Sequence, residues 1–228
     1  MPLVLAILIE PVNVVLSILA TLLRPWMGWR GRPAETTPAQ PLILYEFEAC
    51  PYCNVAREAV SALQLSADIR PCPKGGKRYR PEVAKRGGRT MFPYLIDPNA
   101  GVEMYESADI ARYLYKTYGG RRPPPRLAPV LRDLNVLLAT ASILARLWSG
   151  VASRGRKQEV GEPLAFWGAE ADPRARLVRE TLCALEIPYR LHAVRPDDGA
   201  GLLLIDPNAD VRISSSFTAR RRLLRTYA

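Results

Sequence analysis

Residues 41–63 read PLILYEFEACPYCNVAREAVSAL, and this stretch decides the fold. Its first part, 42–47, is a short apolar run rich in residues that favour β-structure, which predicts a buried strand. Residues 51–64 carry apolar side chains at helical spacing, which predicts a helix. Cys50 and Cys53 stand where the two meet, separated by a proline and a tyrosine. The sequence therefore predicts a strand that runs directly into a helix, with a pair of thiols at the helix N-terminus.

The chain contains a second copy of this stretch. With a shift of 122 residues, PLAFWGAEADPRARLVRETLCAL at 163–185 aligns with 41–63 without a gap. The same shift relates the apolar segments that precede the two copies, whereas 204–228 matches 95–119 with a shift of 109. The second copy has therefore lost 13 residues between its two matching blocks.

The first copy alternates strands with helices and then closes with a hairpin and a helix. The expected strands are 42–47, 67–71, 92–97 and 102–105, and the expected helices are 51–64, 79–87 and 107–118, the last of them capped by Ser107. This βαβαββα order predicts an α/β fold with a mixed sheet.

Changes of composition divide the chain into four segments. They are 1–40, an apolar N-terminal helix and linker; 41–119, the first α/β copy with its CPYC sequence; 120–162, a Pro-rich linker and a second apolar helix; and 163–228, the shortened second copy. The boundary between the copies lies in GGRRPPPRLAP at 119–129, because its Pro and Gly residues rule out a continuous helix or strand.

The two apolar segments, roughly 11–24 and 130–147, are predicted to be helices. The run at 3–23 lacks the basic residues that precede the apolar part of a secretory signal, and Glu10 and Pro11 interrupt it as a membrane span. Two interpretations stay open. The helices pack on the α/β copies or on each other, or they make peripheral contact with a membrane, with their arginines toward the headgroups.

The composition is that of a globular protein with a formal net charge of +10. Such a charge suits an acidic partner, but no nucleic-acid-binding motif accompanies it, so we expect no nucleic-acid partner. The four cysteines are too few for a disulfide-built secreted scaffold. A Cys-x-x-Cys pair in such a chain fits a reducing compartment, and we therefore expect a cytoplasmic protein, with membrane association as an open alternative.

The CPYC sequence has the arrangement of a redox site. Cys50 would lie at a helix N-terminus, where backbone N–H groups and the helix dipole stabilise an anion and lower the pKa of a thiol from its usual value of about 8.5. Cys53, one turn further on, could attack a mixed disulfide at Cys50 and close an intramolecular bond. The alternatives are a zinc site and plain packing. Zinc would require further ligands, and the one histidine, His192, is in the other copy, so no metal site is predicted.

At this point a resemblance can be stated. The CPYC sequence after a strand, the later FP that opens a strand and the YES that opens the last helix resemble glutaredoxins and the N-terminal, thioredoxin-like domain of glutathione S-transferases. The set YEFEACPYC, RPCPKGG and FPYLIDPNAGVEMYES, in a duplicated layout, is similar to tandem glutathione S-transferase N-terminal-domain proteins. The resemblance covers 41–119 strongly and 163–228 weakly. It implies two tandem thioredoxin-like, glutaredoxin-like domains, each preceded by an apolar helix, the second truncated and degenerate.

The resemblance also implies a glutathione site in the first copy. Pro93 would be a cis-proline beside the thiols, and the backbone of Phe92 would pair with the cysteinyl amide of the tripeptide. Glu106 and Ser107 would hold its γ-glutamyl end, and Tyr52 would border the sulfur. One of two further basic residues, Lys77 or Arg78, would meet the glycyl carboxylate. Each also has a plainer interpretation, since a serine caps helices and a basic loop is often only solvated.

The function implied is a glutathione-dependent thiol–disulfide oxidoreductase that acts on glutathionylated or disulfide-bonded proteins through Cys50, with Cys53 as the resolving thiol. The alternative is a non-catalytic module that binds glutathione or a protein. Glu48 motivates this alternative, because a carboxylate pointing at Cys50 would raise the pKa of its thiol. Cys72 is either a third redox thiol or a buried structural cysteine.

The second copy has lost the residues of this site. Asp172 and Ala175 stand where the first copy has its two cysteines, Leu202 stands in place of Pro93, and Ser215 in place of Glu106. We therefore expect 163–228 to act as a scaffold or to bind without catalysis.

Overall fold

The computed structural model describes residues 3–24, 28–125, 129–193 and 201–228. The first half contains α1 (Leu3–Leu22), β1 (Leu42–Glu46), α2 (Pro51–Ala62), β2 (Ser66–Pro71), α3 (Arg80–Gly87), β3 (Tyr94–Asp97), β4 (Val102–Met104) and α4 (Ser107–Thr117). The second half contains α5 (Pro129–Ala145), β5 (Leu164–Trp167), α6 (Pro173–Ala184), β6 (Tyr189–His192), β7 (Leu203–Asp206), β8 (Val211–Ile213) and α7 (Ser216–Tyr227). The predicted βαβαββα order is found in the first half. In the described part of the second half the order is the same except that α3 has no counterpart.

The eight strands form one sheet in the order β4-β3-β1-β2-β6-β5-β7-β8. In each half the first two strands are parallel, and the third and fourth are antiparallel to their neighbours. The halves join where β2 and β6 pair antiparallel, with Ser66 opposite His192 and Ile69 opposite Tyr189. The sequence predicted two tandem copies but did not predict this junction, which makes the two copies parts of one sheet.

The two faces of the sheet are covered differently. Leu42 and Leu44 of β1 join a large core that also contains side chains from α2, α4, α6 and α7. Successive side chains of a strand point to opposite faces. Tyr45 therefore lies on the other face, in a smaller cluster with Val83 of α3. The large core contains residues of both halves, so the halves share a hydrophobic interior as well as a sheet.

The apolar helices α1 and α5 cross over between the halves. α1 packs on α6 of the second half, α5 packs on α2 of the first half, and the two helices pack on each other. The structure therefore agrees with the interpretation in which these helices pack on the α/β copies and on each other. None of the described helices is long and apolar enough to cross a bilayer.

A buried arginine fastens each of these helices at its C-terminal end. Arg24, just after α1, donates from Nε to the Glu58 carboxylate of α2 over 2.8 Å, and from Nη1 to the backbone carbonyl of Asn135 in α5 over 2.9 Å. The contacts recur 122 residues later, where Arg146 binds Glu180 over 2.8 Å and the carbonyl of Asn13 over 3.0 Å. The C-terminal end of α1 is thus tied to the first half of α5, and the C-terminal end of α5 is tied to the middle of α1. The two helices are therefore antiparallel.

A cluster of ionised side chains lies buried between the halves. Arg57, fully buried in α2, binds the carboxylates of Glu46, of Glu48 over 3.3 Å and of Glu170 over 2.9 Å. Arg179 of α6 binds Glu48 over 3.2 Å and Glu170 over 3.1 Å. Burial alone would raise the pKa of Glu170, but Arg179 and Arg57 lower it to about 2. The cluster therefore ties β1 and α2 of one half to the β5–α6 junction of the other by charge.

The halves are complementary in charge within this cluster. The first half contributes Glu46, where the second has Gly168, and the second contributes Arg176, where the first has Asn54. Arg176 is buried and interacts favourably with Glu170. Each half alone would bury an unbalanced charge, which is costly in a medium of low polarity. The two halves together contribute three arginines and three carboxylates.

We predict that Arg57→Met lowers the free energy of unfolding by about 3–5 kcal/mol, because it leaves buried carboxylates without their partner. The matched control is Arg112→Met, which removes an exposed pair with Asp109 and should cost no more than about 1 kcal/mol. Urea unfolding followed by circular dichroism measures both. Equal losses in the two variants would contradict the role given to the cluster.

Candidate active site

The thiol pair lies at the junction of β1 and α2, as the sequence predicts. Cys50 is the N-cap residue of α2, with extended backbone angles, and Pro51 occupies the first turn, where its missing N–H is not needed. The Cys50 Sγ accepts a hydrogen bond from the backbone N–H of Cys53 over 3.3 Å. The sulfur therefore takes the place that a serine or aspartate oxygen takes in an ordinary N-cap.

The pKa of the Cys50 thiol is lowered. Burial raises it, but the Cys53 thiol, the Cys53 amide and the Tyr52 amide all donate hydrogen bonds to the sulfur and together outweigh burial and the charge of Glu46. The pKa of Cys53 lies well above its usual value, because burial and its hydrogen bond to Cys50 both favour the neutral thiol. The anion of the pair is thus held at Cys50.

Access to this sulfur is narrow. Cys50 is 4% exposed and Cys53 is fully buried, and both are free cysteines. A disulfide substrate must therefore reach Cys50 through a small opening or after a local movement.

Glu48 does not act on Cys50 in the way that the sequence suggested it might. Its carboxylate lies in the buried ion cluster with Arg57 and Arg179. The carboxylate that opposes ionisation of Cys50 is Glu46, at the end of β1. Burial raises the pKa of Glu46 itself to about 7, so that its opposing charge is only partial near neutral pH.

A cleft of about 240 Å³ opens beside the cis Phe92–Pro93 peptide. The described residues that line it are Tyr52, Met91, Phe92, Pro93, Tyr105, Glu106 and Ser107. Five of these were candidate glutathione-binding residues, and the structure brings them together. Cys50 is not among the seven.

Glu106 and Ser107 form the turn into α4 on the wall of this cleft. Glu106, and not Ser107, is the N-cap, so the predicted cap is one residue off, and the Glu106 side chain makes no capping hydrogen bond. Its φ of 66° is unusual for a residue with a side chain and costs on the order of 1–3 kcal/mol. Ser107 begins the helix, where backbone N–H groups favour an anion. No pattern in the sequence signals the backbone angle of Glu106.

Lys77 and Arg78 lie elsewhere. The Arg78 guanidinium binds both oxygens of Glu159 over 2.7 and 2.8 Å, and its backbone N–H donates to Glu186 over 3.1 Å. Lys77 is exposed, and neither residue is among those that line the cleft. This loop thus binds the first half to the second through Arg78.

Two arginines that the sequence did not single out border the cleft. Arg80 lies over the ring of Phe92, 4.7 Å from its centroid, and Arg89 lies over the ring of Tyr105 at 5.7 Å. The Tyr105 hydroxyl also donates to the backbone carbonyl of Arg89 over 2.8 Å. Cation–π contacts of this kind bring positive charge to the aromatic rim. The only signal in the sequence was their nearness to Phe92.

The other two cysteines are parts of the core. Cys72 is buried in the cluster beneath α3, and burial raises the pKa of its thiol. Cys183 is buried in α6, where its thiol donates to the Gly150 carbonyl over 3.3 Å, and burial raises its pKa as well. These surroundings favour the structural interpretation of Cys72.

The equivalent junction in the second half is an ordinary helix cap. Asp172 is the N-cap of α6 and accepts a hydrogen bond from the backbone N–H of Arg174 over 2.8 Å. Ala175 and Leu202 are buried in the shared core. The fold of the repeat is therefore kept although its thiols are lost.

In a comparison with known proteins, part of the first half matches a family model. Residues 44–122, about a third of the chain, match the family described as glutathione S-transferase, N-terminal domain. No match was found among curated proteins or among solved structures. The match supports a thioredoxin-like domain of the glutathione S-transferase N-terminal type at residues 44–122.

Proposed function

We propose that the protein is a glutathione-dependent thiol–disulfide oxidoreductase with Cys50 as its nucleophile. The observation that carries this proposal is the Cys50 sulfur at the start of α2, whose pKa is lowered by hydrogen bonds from Cys53 and Tyr52. A lowered pKa raises the thiolate fraction at neutral pH, and the thiolate is the reacting form. The match of 44–122 to the transferase N-terminal domain supports glutathione as the co-substrate.

The reaction would proceed by two exchanges. The Cys50 thiolate attacks the glutathione sulfur of a glutathionylated protein, forms a Cys50–glutathione disulfide and releases the protein thiolate, which takes up a proton. A second glutathione thiolate then attacks the glutathione sulfur of that disulfide, which regenerates Cys50 and gives oxidised glutathione. Alternatively Cys53 attacks Cys50, releases glutathione and forms an intramolecular disulfide, which two further glutathione molecules reduce.

The cleft beside Pro93 is the place where we expect glutathione to bind. Ser107 offers a hydroxyl and a helix N-terminus to the α-carboxylate of the γ-glutamyl end, and Glu106 offers a carboxylate to its ammonium group. Phe92 and Tyr52 line the part of the cleft that belongs to β3 and α2. The rim arginines Arg80 and Arg89 add positive charge that suits an anionic tripeptide.

A second function is favoured by the burial of the sulfur. With Cys50 only 4% exposed and absent from the described lining of the cleft, the first half could hold glutathione or a protein without exchanging disulfides. The chain would then be a binding module of the transferase type. The two functions differ in the reactivity of Cys50 and agree on the cleft.

We predict that Cys50→Ser lowers the rate of reduction of a glutathionylated peptide by at least about 100-fold, because it removes the nucleophile. Cys183→Ser is the matched control, since it replaces a buried thiol of raised pKa and should leave the rate unchanged. Release of the peptide thiol, measured with glutathione in excess, gives both rates. A Cys50→Ser variant as active as the parent would show that the proposed mechanism is wrong.

We predict that alkylation of Cys50 has its midpoint below the free-cysteine value of about pH 8.5, because its pKa is lowered. Cys53→Ala should move this midpoint upward, because it removes one hydrogen-bond donor. Mass spectrometry of iodoacetamide labelling between acid and alkaline pH follows Cys50 separately from Cys72 and Cys183. A midpoint at or above the free-cysteine value would instead favour the binding module.

We predict that Ser107→Ala weakens glutathione binding by roughly 10-fold, because a hydrogen bond to a charged group is lost. Ser216→Ala is the matched control, because Ser216 begins α7 at the equivalent place in the second half. Calorimetric titration on the Cys50→Ser background measures binding without exchange. If the two variants bind glutathione with equal affinity, the cleft is not the glutathione site in either proposed function.

A further inference from the structure

The helices α1 and α5 turn their polar side chains toward the protein. The Ser17 hydroxyl of α1 donates to the Pro173 carbonyl over 2.8 Å, and the Thr21 hydroxyl donates to the Ala171 carbonyl over 3.1 Å. In α5, Ser142 is buried as well. A surface helix in water normally shows the opposite arrangement, with its polar side outward. The outer side of this helix pair is therefore suited to surroundings that are not water.

Apart from Asp133 of α5, the exposed side chains that the structure describes on the two helices are apolar. We call this set the apolar face: Val12, Val15, Leu19, Leu22, Leu134, Leu137 and Leu144. They are between 45% and 67% exposed, and residues 12, 15 and 22 have their counterparts 122 residues later at 134, 137 and 144. The spacing of three and four residues along α1 puts its members on one side of the helix.

Exposed apolar side chains are concentrated here. Of the 17 large hydrophobic residues that are exposed in the described part of the chain, 12 lie on α1 and α5 or within three residues of their C-terminal ends. The two helices are antiparallel neighbours, so their stripes form one surface. Contiguous apolar surface of this kind marks a site of contact with a protein or a membrane.

Arginines border the apolar face. Beyond α5, Leu147 and Trp148 line a hollow of about 240 Å³ together with Arg154 and Arg220. The Arg220 guanidinium binds Glu10 of α1, which places α7 beside this helix. α7 carries three more exposed arginines: Arg221, Arg222 and Arg225.

The charge decides between the possible occupants of the apolar face. We propose that it binds the surface of a membrane that contains anionic lipids. A second copy of the chain would bring the same bordering arginines against themselves in a two-fold contact, within a chain whose net charge is already +10. Anionic headgroups instead complement the arginines, while the aliphatic side chains and Trp148 enter the boundary between headgroups and acyl chains. Two acids offset part of this charge: Glu10, which is paired with Arg220, and the exposed Asp133 in the first turns of α5. The positive charge beside the apolar face therefore comes from Arg154 and from the exposed arginines of α7.

The proposal does not depend on the thiol chemistry, but it has a consequence for where the thiols lie relative to the membrane. Ala49, next to Cys50, borders a crevice together with Ile143 and Ser149 at the C-terminal end of α5. A membrane on the apolar face would therefore be separated from the β1–α2 junction by the thickness of α5, about 10 Å.

Flotation of the full chain with lipid vesicles tests the proposal. We expect it to float with phosphatidylcholine vesicles that contain about 30 mol% phosphatidylglycerol, and to float much less with phosphatidylcholine alone or in about 0.5 M salt. Leu137→Glu should reduce the floating fraction by about 10-fold or more, because it puts a charge on the apolar face. Ala84→Glu is the matched control, since it adds the same charge at an exposed position of α3, on the other side of the sheet, and should float as the parent does.

Folding of each variant is checked by circular dichroism and urea unfolding, and Leu137 is exposed enough for its substitution to be tolerated. Three results would overturn the proposal. The parent could stay in the soluble fraction with both kinds of vesicle, or Leu137→Glu could float as well as the parent. The third is a dimer of the parent, seen by size-exclusion chromatography with light scattering, that Leu137→Glu dissociates while neither protein floats, since the face would then bind a second copy.

Discussion

The interaction on which the rest of this structure depends is the buried charge cluster between the two halves. Arg57 and Arg179 lie on helices of different halves, and each binds carboxylates of both. Burying a charge without a partner costs free energy. Each half supplies partners for the charges of the other, so neither half would keep this structure alone. The antiparallel pairing of β2 with β6 and the shared core join the same two halves. The duplicated chain is therefore one folded body.

This cluster also shapes the candidate site. The β1–α2 junction that carries Cys50 is enclosed on one side by Glu46 and Glu48, whose carboxylates are bound to the arginines of the cluster. Glu48 is thereby turned to Arg57 and Arg179, and the hydrogen bonds at the helix N-terminus determine the pKa of the Cys50 thiol. The second half contributes the partners that make this possible, although it has no thiols at the equivalent positions. That gives the second half a physical role.

Much of this was open to prediction from the sequence, because the information is local. The order of strands and helices in the first half and the place of Cys50 at the start of α2 follow from periodicity and from motifs a few residues long. The gathering of Phe92, Pro93 and Ser107 at one cleft was implied by the resemblance to glutathione S-transferase N-terminal domains. The junction of the sheet could not be predicted, because edge strands carry no local mark of the partner they pair with. The pairing of Arg78 with Glu159 could not be predicted either, because it joins side chains 81 residues apart in the sequence.

The crossing of the apolar helices has a consequence for the synthesis of the chain. α1 is made before any other described element, yet the helix it covers, α6, ends at Ala184. At ribosomal rates of about 5–20 residues per second, α1 waits on the order of ten seconds or more for that partner. During this interval an aliphatic helix stands without its permanent neighbour, and in its later part, once α4 has ended at Thr117, the first half is already complete. The nascent protein thus has a period in which chaperones, or a lipid surface, compete with its own second half for the same segment.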